Sequence, residues 1–203
     1  VKTTSLDHLL SEIRGCTVCV QHLEHGPKPI VQAGSSARIV IIGQAPGRRV
    51  HESGVPWDDP SGRTLRRWLD LTDEQFYDPG IVALVPMGFC YPGSTQSGDK
   101  PPRPECAPLW HERLLAELRP RRLDIIIGTY ALKRYIHHGR QTLTETVANW
   151  ASYLPARVVL PHPSPRNQHW RTRNPWFETD TLPEVRRIVA ELLNQSGPDL
   201  REP

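Results

Sequence analysis

Four short apolar runs, each ending at a glycine or a proline, constrain this chain more than any other feature. Residues 38–43 read Arg-Ile-Val-Ile-Ile-Gly, and similar runs cover residues 81–85, 123–128 and 157–160. Such runs lack the alternation of a half-buried strand and suit strands buried on both faces. Helical patterns fall between them, at residues 61–71, 108–118, 130–137 and 143–153. A final amphipathic helix is expected over residues 182–193, opened by Thr181 with Glu184 at capping-box spacing. A first helix is expected over residues 5–13, with Leu6, Leu9, Leu10 and Ile13 on one face and Ser5 as its N-cap. Residues 26–34 read as loop or edge strand. Strands alternating with helices imply a four-stranded, mostly parallel sheet covered on both faces, in an α/β fold.

At 203 residues, one domain spanning residues 1–203 is the default, with room for one sizeable core. A mean hydropathy of -0.49 and 21 prolines describe a soluble, loop-rich chain. No apolar run approaches membrane-spanning length and no secretory h-region is seen, so a cytoplasmic protein with no membrane partner is expected. The net charge of +3 is too small to argue for polyanion binding by itself. Arginines do gather, at Arg48-Arg49, Arg63, Arg66-Arg67, Arg119, Arg121-Arg122 and from Arg166 to Arg173, interleaved with aromatic residues. They are either a solvated surface or a footprint for a polyanion.

The chain has four cysteines, as Cys16-x2-Cys19 and Cys90-x15-Cys106. A disulfide between Cys16 and Cys19 would close a very tight loop, and in a reducing compartment such a set more often binds metal. Zinc and iron–sulfur clusters both accept four thiolates, and the spacing alone leaves the two open.

In parallel sheets the working loops lie at the carboxyl ends of the strands. Three clusters fall there: Gly43-Gln-Ala-Pro-Gly47, Pro86-Met-Gly-Phe-Cys-Tyr-Pro-Gly93 and Pro161-His-Pro-Ser-Pro-Arg-Asn167. The first lacks the lysine and hydroxyl residue of a phosphate loop and reads as a rigid turn. Beyond it, Gly54-Val-Pro-Trp57-Asp58-Asp59-Pro-Ser-Gly62 sets an aromatic and two acids beside a helix start. Trp57 is a candidate stacking platform, while Asp58 or Asp59 equally suits the helix N-cap. In the third cluster, prolines stiffen the loop that carries His162 and Ser164, and a histidine there can donate to an oxygen gaining negative charge.

These motifs, with the cysteine spacing, resemble the uracil-DNA glycosylase superfamily over most of the chain. The cysteine pattern is similar to its iron–sulfur branches, families four and five, and the His-Pro-Ser-Pro-Arg-Asn loop to the single-strand-selective monofunctional branch. The resemblance implies a three-layer α/β/α fold, a structural 4Fe-4S cluster on Cys16, Cys19, Cys90 and Cys106 linking the N-terminal segment to a mid-chain loop, and uracil-containing DNA as partner of a monomer. It also implies that Gly43, Gln44, Ala45, Pro46 and Gly47 line the uracil pocket and help to place the attacking water. Trp57 takes the position of a phenylalanine that stacks on uracil. His162 matches the histidine that stabilises the departing uracil through its O2, and Ser164 a serine that contacts the DNA backbone. Arg166 and Asn167 occupy the loop that fills the space left by the flipped nucleotide.

The chain departs from the family pattern at three places. Glutamine replaces the family-four glutamate at Gln44, and Asp59 matches the aspartate that family five uses in its stead, as the water-activating group. Pro86 replaces an asparagine that reads the uracil edge, leaving that reading to Gln44 or to backbone groups of Met87, Gly88 and Phe89. The segment between Cys90 and Cys106 lacks the family's Pro-Pro-x-Asn-Arg pattern. Finally, Lys133-Arg134-Tyr135-Ile136-His137 is similar to a loop of a relative that becomes trapped on DNA, but it falls on an expected helix surface. The activity implied is monofunctional excision of uracil. The alternatives are a damage-sensing DNA binder without useful turnover and a zinc-stabilised hydrolase of small nucleosides.

Overall fold

The computed structural model describes residues 4–96, 98–118, 121–136 and 141–194. Its first helix, α1 (Ser5–Arg14), buries Leu6, Leu9, Leu10 and Ile13 as their spacing requires. Thr4 rather than Ser5 is the N-cap. The Thr4 hydroxyl accepts from the Asp7 N–H at 3.2 Å, and the Asp7 carboxylate accepts from the Thr4 N–H at 2.9 Å. Ser5 lies one position inside the helix and donates to Glu117 at 2.9 Å.

After residues 26–34 come β1 (Ile39–Ile42), α2 (Arg48–Ser53), α3 (Pro60–Leu69), α4 (Asp73–Tyr77) and β2 (Val82–Leu84). A two-stranded antiparallel hairpin, β3 (Ser94–Thr95) and β4 (Gly98–Asp99), precedes α5 (Cys106–Glu117). The chain continues through β5 (Leu123–Ile127), α6 (Gly128–Tyr135), α7 (Leu143–Ala148), β6 (Arg157–Leu160), α8 (Gln168–Arg173) and α9 (Leu182–Asn194). The main sheet has the order β2-β1-β5-β6, and all three pairings are parallel. Ile39 aligns with both Val82 and Leu123, and Ile125 aligns with Val158. Residues 26–34 touch the sheet edge through one antiparallel bridge, Gln32 to Leu84.

Every residue of β1, β2 and β5 is buried, the reason these strands read as continuous apolar runs. Helices cover both faces, giving a three-layer α/β/α arrangement in which α1 packs on α5 and α3 on α9. Trp68 of α3 meets Phe177 edge-on at 4.9 Å, joining the third helix to the C-terminal segment. Among the described residues, no helix is long and apolar enough to cross a membrane.

Three local expectations change. The segment at residues 143–153 splits into α7 and a 3-10 turn at Trp150–Tyr153. Thr181 does not flank α9 as a cap, because it is buried within a π-helical turn, Phe177–Thr181, that runs directly into that helix. The fourth expected helix starts earlier, at Gly128, and its last expected residue, His137, lies outside the described residues, as does Arg119. Lys133 is exposed on α6, as an ordinary helix-surface residue would be.

Candidate active site

The carboxyl ends of β1, β5 and β6 open into a cleft of about 560 Å³, within the usual range for small-ligand sites. Gly43, Gln44, Ala45, Pro46 and Gly47, leaving β1, all line it, together with Trp57, Asp59, His162, Ser164, Arg166 and Asn167. These residues come from three separate segments of the chain, and the parallel sheet brings them together.

The turn at residues 43–47 is fixed by the loop beyond β2. Gly43 and Gln44 carbonyls accept from the Met87 and Gly88 N–H groups at 2.9 and 3.0 Å. Those two amides are therefore committed to the backbone. Met87, Gly88 and Phe89 are not among the residues that line the cleft, and Phe89 instead faces the buried His111 ring. Pro86 does line the cleft, and its carbonyl accepts from His111 Nε2 at 3.0 Å. Among the described residues, the Gln44 carboxamide takes no intramolecular hydrogen bond, which leaves it as the polar side chain beside the turn able to meet a ligand edge.

Trp57 adopts φ 59°, a left-handed conformation rare for a large side chain. Two glycines make room for it. A Cβ at Gly62 would stand 1.7 Å from the Trp57 carbonyl oxygen, and one at Gly43 would stand 2.7 Å from the indole ring. The indole is thus pressed on Gly43 and stacked against His162, with ring centroids 5.8 Å apart and planes 29° apart.

Asp59 is the N-cap of α3, and its Oδ1 accepts from the Gly62 N–H at 2.7 Å. The capping and the cleft-facing readings of this residue hold together, because it also lines the cleft. His162 is held by its own loop. Its Nδ1 lies 3.2 Å from the Ser164 N–H, and its carbonyl accepts from the Asn167 amide at 2.8 Å. Since Nδ1 accepts, the neutral ring carries its proton on Nε2. Burial pushes the His162 pKa below the ordinary histidine value, and the nearby Asp59 carboxylate opposes that shift. The ring is therefore a neutral donor at neutral pH. Ser164 caps the following 3-10 turn by accepting from the Arg166 N–H at 3.3 Å.

One lining residue had no clear signal in the sequence: Asp99, on β4. It lies in a segment of glycine, serine and threonine that reads simply as a loop. Several of the clustered arginines, in contrast, serve the fold. Arg66 pairs with Asp73 at 2.6 Å, and Arg121 pairs with the buried Asp124 at 3.2 Å and donates to the Leu115 carbonyl at 2.7 Å.

The four cysteines are all free, and all four line a second, small cavity together with Leu23, Phe89, Arg103 and Trp110. Burial pushes the Cys90 thiol up to about 11 and the Cys106 thiol up to about 12, and the neighbouring cysteines add to both shifts. Backbone N–H groups of Lys28 and Phe89 work in the opposite direction at Cys90 and Cys106. Cys19 Sγ lies 3.6 Å from Glu105, whose carboxylate also accepts from Arg103. Among the described residues, no three histidine, cysteine or acidic side chains are arranged to hold a single metal ion. Four unpaired thiols around one cavity are chemically suited to a soft, multi-sulfur group.

Residues 31–186 match the family model described as the uracil DNA glycosylase superfamily. The chain belongs to that superfamily. It is also similar to the type-4 uracil-DNA glycosylase of Thermotoga maritima, at 26% identity over 191 residues, covering 92% of this chain and 90% of that protein. The superfamily match spans both the turn at residues 43–47 and the loop that carries His162. Cys16 and Cys19 fall before it.

Proposed function

We propose that this chain is a monofunctional uracil-DNA glycosylase, acting as a single-domain monomer on uracil-containing DNA. The observation that carries this reading is the His162 ring, kept neutral by burial and fixed by the Ser164 N–H with its proton on Nε2, in one cleft with Asp59 and Trp57. Uracil stacked in DNA is out of reach, so the nucleotide must flip into the cleft. Trp57 then supplies the aromatic wall and Gln44 a donor and an acceptor for the base edge. As the bond between N1 and C1′ breaks, its electron pair leaves on uracil and spreads to O2, where the His162 Nε2–H donates. The free oxygen of Asp59 faces the cationic sugar and helps to orient the water that attacks C1′. Ser164, Arg166 and Asn167 lie at the rim, where phosphates and the vacated stack would be met. No lysine stands in a motif position to form a Schiff base, so the strand stays intact.

Four free cysteines around one small cavity support a 4Fe-4S cluster, which Cys16, Cys19, Cys90 and Cys106 would hold. When bound, the cluster supplies structural cross-linking of the N-terminal segment to α5.

The test is release of free uracil from an oligonucleotide carrying one deoxyuridine, single-stranded and paired, with an abasic site left behind. No release at large protein excess in either context would overturn the reading. Tight binding to abasic DNA without release would favour a damage-binding role, the alternative that a neutral glutamine at position 44 supports.

A further inference from the structure

The β3–β4 hairpin forms part of the cleft wall, and its Gly98 and Asp99 both line the cleft. Asp99 reaches the strand-end turn: a Cβ at Gly47 would stand 3.4 Å from its Oδ2. The hairpin is seated by the loop of the second motif, because Arg166 packs so closely on Gly98 that a Cβ there would stand 2.0 Å from its Nη1. Gly98 has φ 132°, a backbone that side chains rarely adopt, so this contact is built for glycine. Two carboxylates thus face one cleft, and they are differently employed. Asp59 gives one oxygen to the α3 cap at 2.7 Å, whereas among the described residues no cap or turn engages the Asp99 carboxylate.

We propose that Asp99 is a catalytic residue of the reaction proposed above, the base that takes the proton of the attacking water, while Asp59 balances the charge of the sugar. The water oxygen forms its bond to C1′ as the bond from C1′ to N1 breaks. One water proton passes to the Asp99 carboxylate, and the electron pair of the broken bond leaves with uracil. Asp99 then returns its proton to solvent, and the uracil anion takes one up after release. The surroundings suit a base. Desolvation raises the Asp99 pKa first of all, and Asp59 adds to that, while Arg166 from the second-motif loop and Arg48 from α2 act against it. His162, from the loop after β6, also lines the cleft, and burial lowers its pKa so that it stays neutral at neutral pH. A neutral glutamine at position 44 leaves the turn at residues 43–47 without a carboxylate of its own, and the hairpin brings one to the same turn from outside.

The assignment rests on the glycosylase reading, and single-turnover excision from a single-stranded deoxyuridine oligonucleotide separates the two. If wild type releases uracil, Asp99→Asn is expected to slow the chemical step about 100-fold, within the range for loss of a general base. The melting temperature and the dissociation constant for abasic DNA should stay unchanged, since β4 is a two-residue strand on a hairpin apart from the main sheet. The acidic limb of the rate profile, present in wild type, should disappear in Asp99→Asn, and Asp99→Glu should recover part of the rate. An unchanged rate or an unchanged acidic limb in Asp99→Asn would overturn the assignment while leaving the glycosylase reading intact. A loss that Asp99→Glu shares in full, or one accompanied by weaker abasic-DNA binding of the same size, would also overturn it. A wild type that releases no uracil would overturn the glycosylase reading first.

Discussion

The cysteine cavity and the cleft lie on either side of the loop that leaves β2, and they are built on opposite plans. Pro86 faces the cleft, while Phe89 and Cys90, three and four residues later, face the cysteines. The cavity is made of four like groups among mostly apolar walls, and burial raises the pKa of two of them, Cys90 and Cys106. The cleft is made of unlike groups, each oriented by a separate bond to its own loop. One region ties distant segments of chain together, and the other aims single atoms. Damage to the first should therefore appear as instability, and damage to the second as lost turnover in a protein that still folds. His111 is where the plans meet. It rides on α5, which begins at Cys106, and holds the Pro86 carbonyl at the cleft.

The comparison is broken most easily at Cys106. If the proposed cluster is bound, Cys106→Ser is expected to lose iron and the brown colour and to melt well below wild type, since a site formed only in the folded chain lends it its binding energy. Iron analysis and a thermal melt check this, and an intact melt would put the cavity outside the scaffold. His162→Ala should do the reverse. The rate of uracil release is expected to fall about 100- to 1000-fold, as when one donor to a developing oxyanion is removed, with no change in the melt beyond about 1 kcal/mol.

The bridge between the regions should respond to acid. Burial lowers the His111 pKa to about 4, so the unfolded chain takes up this proton first as pH falls. Its contribution is complete above about pH 6.5 and is lost progressively towards pH 4. The loss amounts to about 3 kcal/mol at 1.36 kcal/mol per unit, measurable as denaturant midpoints from pH 7 to 4. His111→Gln should flatten that slope, and an unchanged slope would sever the proposed link. The smallest effect belongs to Asp59. Asp59→Asn keeps a good N-cap and should slow excision at an almost unchanged melt, whereas Asp59→Ala should melt lower by about 1 kcal/mol. Equal melts for the two would mean that the cap adds little to α3.

The strands were readable because burial on both faces selects apolar side chains, with Asp124 of β5, paired with Arg121 at 3.2 Å, as an exception, and all four main strands fall within the apolar runs. The short helix α2 was not, since Val50 is its only buried residue and gives no period to detect. The β3–β4 hairpin escaped for a related reason: its strands are two residues long and bury nothing that marks them. Asp99 was hidden with it. His162, Asp59 and Trp57 stood out because prolines and glycines punctuate their loops. What the sequence could not reveal is that the Met87 and Gly88 amides are used up by the turn at residues 43–47, a matter of pairing between distant segments. The cysteines were legible as a set, but their convergence on one cavity depends on how α5 and the N-terminal segment pack.

The bond from Asp59 to the first turn of α3 has a consequence for the encounter with DNA. A free aspartate at a cleft wall samples several rotamers, and ordering such a side chain on binding costs about 0.5–1.5 kcal/mol. Here the rotamer is chosen when α3 folds, because Oδ1 is already held at 2.7 Å by the Gly62 amide. In the proposed reaction, the flipped sugar would meet a carboxylate that has nothing left to rearrange, and more of the DNA binding energy would remain for opening the stack.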